Sequence, residues 1–300
     1  MTNPSRIALL LAVISPLLFA LLTGQGRSQA PAAETGLPAR HYTEGEKLTY
    51  HMKGDNDGWT YDVQANGVVK KNSAGHFIEE YGWSDFKSNA PMSLSPETLA
   101  FRQNLSLDPD APPSIPDLSK VQPFLIGPIT DLLTFYADLW LANKQRLNHV
   151  GDHVYVKHGT PASWADGTYV ILGESSIDFD LTLKEVDPAG QFATLLAKHV
   201  PPAQPEARLP AEWMRAPVAD TPNNWVNVEK SRAGKFVAAV GKETFDVEIK
   251  VSLKDGKILS ATLENLVRTR QRDCSDAAYQ NCGEPADHTI HRHIELMSVP

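Results

Sequence analysis

The sequence predicts a mainly β (α+β) fold, a curved antiparallel sheet or open barrel wrapped around one central amphipathic helix. Three observations predict it. Downstream of residue 150 apolar residues alternate with a period of two, as in Ile177, Phe179, Leu181 and Leu183 against Asp178, Asp180, Thr182 and Lys184, the pattern of a strand with one buried face. One long stretch, residues 127–144, instead follows the helical period: Ile129, Leu132, Leu133, Tyr136 and Trp140 recur every three or four residues, with Phe135 and Leu139 widening the stripe. Between these segments lie dense turn signals.

In chain order, Arg6 precedes an apolar run over residues 7–22, and small residues at 28, 30 and 32 offer cleavage sites, so residues 1–32 read as a signal peptide. A retained anchor is the alternative; the run of ~16 residues is short against the roughly 20 that a span needs, and no second apolar run is read as a span. Residues 33–44 are small and polar, a flexible leader. The structured part, 45–300, reads as a single β-rich domain. Residues 45–86 form a meander of four short strands, with turns at 54–58, at Asn66-Gly67 and at 73–75. One strand follows within TLAFRQNLSL, then a proline-punctuated connection. In the helix, Pro128 suits the first position, while Thr130, Asp131, Thr134 and Asp138 take the side opposite the apolar stripe.

After the helix come strands over 153–157, after Asp166-Gly167, over 177–184 and over 191–200. Residues 201–224 carry six prolines and read either as a linker between domains or as a loop over the mouth of one barrel; the second leaves no half-sheet uncovered. A long hairpin follows, Phe245 to Leu253 alternating, Lys254-Asp255-Gly256-Lys257 as a type I′ turn, and a bent return strand to about residue 270. HTIHRHIELMSV is the last strand.

The 300 residues carry 28 basic and 36 acidic side chains, with no basic cluster read from the chain, which argues against a nucleic-acid partner. Cys274 and Cys282 are the only cysteines and enclose a short polar loop, which reads as a disulfide in an exported chain, periplasmic or extracellular.

Signatures of chemistry are sparse. Gly173-Glu174-Ser175-Ser176 does not fit a nucleophile elbow, and no zincin, phosphate-loop or dinucleotide motif, and hence no cofactor, is recognised. His291, His293 and Glu295 share one face of a strand, a pattern able to hold a divalent metal if a neighbour supplies a third ligand; the preferred reading of the same face is the wet side of an edge strand. The carboxylate pairs Glu79–Glu80, Asp178–Asp180 and Asp246–Glu248 could do acid–base work on a sugar if two faced one cleft; the favoured reading is solvated sheet surface. Aromatic residues, Tyr169 among them, are spread over the meander, the helix and the middle strands, and a sheet curled around a helix leaves a cavity unless large side chains fill it.

The segments YTEGEKLTYHM, DLLTFYADLWL and FDVEIKVSLKDGKILSATLEN resemble the open β-barrels of periplasmic lipoprotein carriers and related secreted bacterial proteins. The resemblance implies an exported carrier holding a lipid or other apolar small molecule between sheet and helix, with no catalytic residues to transfer. The expected cavity residues are Leu132, Phe135, Tyr136, Leu139, Trp140, Phe179 and Phe245. A ligand-free envelope scaffold and a metal-dependent enzyme using His291 and His293 are the alternatives.

Overall fold

The long alternating segments pair into one antiparallel sheet that does not close, and the apolar helix packs on one of its faces. The structure, a computed structural model, describes residues 36–91, 94–118, 121–164, 170–231 and 233–300. The signal segment, Asp166-Gly167 and Tyr169 lie outside the described residues.

The strands are β1 (Lys47–Asn56), β2 (Trp59–Lys71), β3 (Phe77–Ser88), β4 (Gln103–Leu105), β5 (His153–Val156), β6 (Ala162–Ser163), β7 (Val170–Ser175), β8 (Asp178–Asp187), β9 (Phe192–Val200), β10 (Trp225–Lys230), β11 (Phe236–Ser252), β12 (Ile258–Cys274) and β13 (Ala286–Val299); the helices are α1 (Pro96–Ala100) and α2 (Pro123–Gln145). The order β4-β3-β2-β1-β13-β12-β11 is continuous, and at β11 the sheet forks. The first half of β11 pairs with β10 through Gly241, leading on to β7 and β6. The second half pairs from Phe245 onward with β9, leading on to β8 and β5.

Asn224 closes the fork. Its side-chain amide donates to the carbonyls of Ser176 (3.0 Å) and Glu243 (3.2 Å) and accepts from the Glu243 N–H (2.9 Å). Backbone groups that a split sheet would leave unpaired are thereby satisfied.

The sheet buries its inner face at one end and adds an outer core at the other, where Trp225, Ala239 and Val267 form a smaller inner cluster. On the inner face α2 covers a large core, with Val247, Ile249 and Val251 of β11 meeting Leu132, Phe135 and Leu139. On the outer face of the other end a second core forms from Val226, Val228, Phe236, Ala238 and Val240 beneath Ala211, Met214 and Tyr279. The proline-rich excursion 201–224 is thus neither linker nor mouth loop. It caps the outer face, turning once through a 3₁₀ segment, Glu212–Arg215. Trp213 Nε1 donates to the Tyr279 carbonyl (2.9 Å), tying the cap to the loop closed by the Cys274–Cys282 disulfide.

Several local expectations change. Asn66-Gly67 is no turn: β2 runs straight through it, opposite β3. Gly67 faces Tyr81 across the ladder, and a Cβ there would meet the Tyr81 ring at 2.5 Å, so the glycine makes room for an aromatic ring rather than a reversal. TLAFRQNLSL divides into α1, capped by Ser95 Oγ accepting from Thr98 N (3.2 Å), and the short β4. The β11–β12 hairpin forms as expected, but only Gly256 there has positive φ (+68°), so its turn is not type I′.

The helix starts earlier than expected. Pro123 takes the N-terminal place and Pro128 lies inside, where Thr130 Oγ1 donates to the carbonyls of Ile126 (2.9 Å) and Gly127 (3.0 Å). From Phe124 to Gln145 it is long and apolar enough to cross a membrane by length and composition, unlike the sequence reading, yet half of its most apolar window is buried in the fold. Residues 36–44 are irregular but not loose. Arg40 is buried and its Nε and Nη2 donate to Glu79 (3.0 Å) and Glu46 (2.8 Å), while Leu37 N donates to the Leu147 carbonyl (2.8 Å).

The Gly67–Tyr81 contact makes a clean test. Gly67→Ala is expected to destabilise the protein by about 1–3 kcal/mol in urea unfolding, and the double substitution Gly67→Ala/Tyr81→Leu to couple non-additively; a Gly67→Ala cost within ~0.5 kcal/mol of zero refutes this reading.

Candidate functional site

Directly paired residues of an antiparallel ladder share a face. Arg292 on β13 pairs with Asn265 on β12, Asn265 with Phe245 on β11, Phe245 with His199 on β9, and His199 with Phe179 on β8. These five side chains therefore form one row across the inner face. Two helix acids meet it. Asp131 accepts from Arg292 Nη2 and from Tyr61 Oη (2.9 Å), and Asp138 Oδ1 pairs with His199 Nε2 (2.8 Å). Seven residues on a helix rise about 10.5 Å. Three strand spacings from β13 to β9 cover about 14 Å, and the long Arg292 side chain takes up the difference.

This corrects the expected wet side of α2: Asp131 and Asp138 are buried at 2% and 0% exposure. Asp131 satisfies Arg292 and Tyr61. Burial works against the Arg292 charge, but Asp131 outweighs it and raises its pKa. Burial also pushes the Tyr61 hydroxyl well above its usual value, with Asp131 adding to the effect. Beside the row, Glu243 is buried, which raises its carboxyl pKa, and Asn265 Nδ2 reaches its Oε1 at 3.3 Å.

The His199 ring lies between Phe179 (4.7 Å between centroids) and Phe245 (4.8 Å). His199 Nδ1 and Asp138 Oδ2 are buried and have no hydrogen-bond partner among the described residues.

Among the expected cavity residues, Leu132, Phe135, Tyr136 and Leu139 are fully buried in the main core. Tyr136 Oη also joins a buried cluster with Glu79 and Tyr81, its oxygen 2.7 Å from that of Tyr81. Glu79, read as solvated, is therefore interior, as is Asp178, which accepts from Tyr155 Oη (2.7 Å) and from the His158 N–H (2.9 Å). Trp140, Phe179 and Phe245 are half-buried, and Trp140 Nε1 donates to the Asp108 carbonyl (2.9 Å).

His291, His293 and Glu295 do share the outer face of β13, with Glu264 of β12 between them. Glu264 lies 2.9 Å from His291 Nε2 and 2.6 Å from His293 Nδ1, and Glu295 lies 3.3 Å from His293 Nε2. No group of three or more His, Cys, Asp or Glu among the described residues is placed to hold a metal ion. An open concavity of ≈ 450 Å³ on this outer face is lined by His51, Lys53, Glu248, Lys250 and Glu295.

The sequence reading missed the Asp131–Arg292 and Asp138–His199 pairs. The signal was present, since two acids seven apart lie only about 20° apart around a helix. Their partners come from distant strands. Comparison with known proteins finds no matching family model, no matching curated protein and no matching solved structure.

Two outcomes are expected. Arg292→Leu strands the buried Asp131 charge and is expected to cost about 3–5 kcal/mol of stability, with Asp131→Asn/Arg292→Leu recovering part of it, read by denaturant unfolding; equal stability of all three proteins contradicts the pairing. Burial lowers the His293 pKa, but hydrogen bonds and charge from Glu264 and Glu295 outweigh it and hold the pKa above 6.5. A raised histidine favours the folded state below its unfolded value, and the benefit fades as pH rises through the folded value. An NMR titration is expected to place His293 above 6.5 and Glu264→Gln to bring it down; an unmoved midpoint rejects the assignment.

Proposed function

We propose that this is an exported, non-catalytic binding module that holds an apolar, lipid-like ligand along the open side of α2, not beneath it. The observation that carries this reading is the half-buried apolar strip that α2 keeps on that side, including Ile126, Leu133 and Leu141, in a sheet that does not close. Phe179 and Phe245 are likewise half-buried on the inner face of the sheet. Apolar side chains left partly open to solvent on a helix are a feature of ligand grooves and partner sites. The Cys274–Cys282 disulfide supports an oxidising compartment, in keeping with the targeting features of residues 1–32.

A second reading, a ligand-free interaction domain of the cell envelope, is favoured by the close fit beneath the helix, where Leu132, Phe135 and Leu139 are each 0% exposed.

Native mass spectrometry of delipidated protein incubated with C16-chain lipids separates the two. Uptake by the native chain, weakened at least about tenfold by Leu133→Asp with unchanged circular dichroism, is the expected result, since a carboxylate in an apolar groove is strongly unfavourable. No uptake of any apolar probe leaves the interaction domain as the reading.

A further inference from the structure

We propose that the ligand held along α2 is a single-chain amphiphile with an anionic head, and that Lys144 receives that head at the C-terminal end of the strip. The inference rests on the binding-module reading and adds the charge and direction of its ligand. Ile126, Thr130, Leu133, Thr134, Ala137 and Leu141 are all half-buried and lie within about 100° of one another around the helix. Lys144 stands about five turns beyond Ile126, on the same line along the helix, and is exposed.

The strip offers a ligand no charge and no spare side-chain proton before that point. Thr130 Oγ1 donates to the carbonyls of Ile126 (2.9 Å) and Gly127 (3.0 Å), and Thr134 Oγ1 to that of Thr130 (3.0 Å). Trp140, which borders the strip beside Ala137, gives its Nε1–H to Asp108. The first charge along the line is the Lys144 ammonium. Its Nζ lies 4.8 Å from the centre of the Trp140 ring, so the side chain folds back along the helix toward the strip. Neither Lys144 nor the exposed Arg146, which ends the helix, has an ionic partner among the described residues. Lys184, Lys242 and Lys257, by contrast, pair with Glu248, Asp220 and Glu46. Asp108 turns its carboxylate to His76 Nδ1 (3.2 Å).

Charge and length select the ligand. The C-terminus of a helix carries about half a negative charge, against a full positive charge on each of Lys144 and Arg146, so this end of the strip favours an anion. The uncharged part, from Ile126 to Leu141, is about 22 Å long. An acyl chain fills one leaflet of a bilayer, about 15 Å of hydrocarbon, so one chain fits lengthwise with its head at Lys144. A quaternary ammonium head meets like charge there, and a hydroxyl head gains no charge attraction.

The test compares hexadecanoate, 1-hexadecanol and hexadecyltrimethylammonium, one chain with three heads, at about pH 8, where the carboxylate is ionised. Native mass spectrometry competition is expected to favour hexadecanoate over the alcohol by at least about threefold in the native chain, the size of an exposed ion pair, with the ammonium taken up least. Lys144→Glu, at an exposed position, is expected to leave circular dichroism unchanged, retain uptake of the alcohol and abolish the preference for hexadecanoate. Lys144→Glu/Arg146→Glu is expected to reverse it in favour of the ammonium. Equal uptake of the three heads by the native chain, or a preference for the alcohol or the ammonium, overturns the proposal and leaves the binding-module reading intact. A preference for hexadecanoate that survives both substitutions also overturns it. No uptake of any of the three removes the binding-module reading and this inference with it.

Discussion

The architecture depends on two acids of one helix reaching an arginine and a histidine on strands that are far apart in the chain. Asp131 holds Arg292 of the last strand and Asp138 pairs with His199 of β9. Burying a carboxylate in an apolar helix is unfavourable unless the charge is paired and hydrogen-bonded. Removing either contact leaves a buried group with no compensation. Hydrophobic packing would accept many rotations and slides of α2 against a flat apolar face. The pairs admit few, and so fix the register of the helix across β13, β12, β11 and β9. Buried ion pairs contribute little net stability by themselves, and their role here is specificity of placement.

The second constraint is the length of β11 and β12, 17 residues each. Strands this long pass through two environments. At one end their inner face meets α2; at the other their outer face lies beneath the proline-rich cap. A second apolar set therefore appears on the outer face of the same strands, while Ala239 and Val267 keep a smaller inner cluster, and Glu243, Asn265 and Arg292 lie where the main inner core ends. Asn224 allows the sheet to split at this level by supplying amide groups where β10 has ended and β9 has not begun. The same region holds His199 Nδ1 and Asp138 Oδ2, two of the buried atoms without a partner among the described residues.

Local readings failed where a glycine or a proline had a tertiary reason. Asn66-Gly67 has the chemistry of a tight turn, but the missing Cβ serves the ring of Tyr81 on the next strand. The residues of 201–224 do form an irregular segment, but only the apolar outer face of β10 and β11 determines where it lies. Arg40 looked like part of a polar leader because Glu79, its buried partner, is 39 residues away in the chain.

By itself the sequence determined the class of fold, the one long helix, most strand positions, the long terminal hairpin and the outward face shared by His291, His293 and Glu295. These follow from periods of two and 3.6 residues and from turn chemistry, which are local properties of the chain. It also contained the i, i+7 spacing of Asp131 and Asp138 without their meaning. Only the tertiary structure decided that these acids face inward, that Leu132, Phe135, Tyr136 and Leu139 are packed core, and that the sheet forks and carries a second core on its outer face at one end. Those outcomes depend on which distant strand supplies a partner charge or an apolar cover, and no local period encodes that choice.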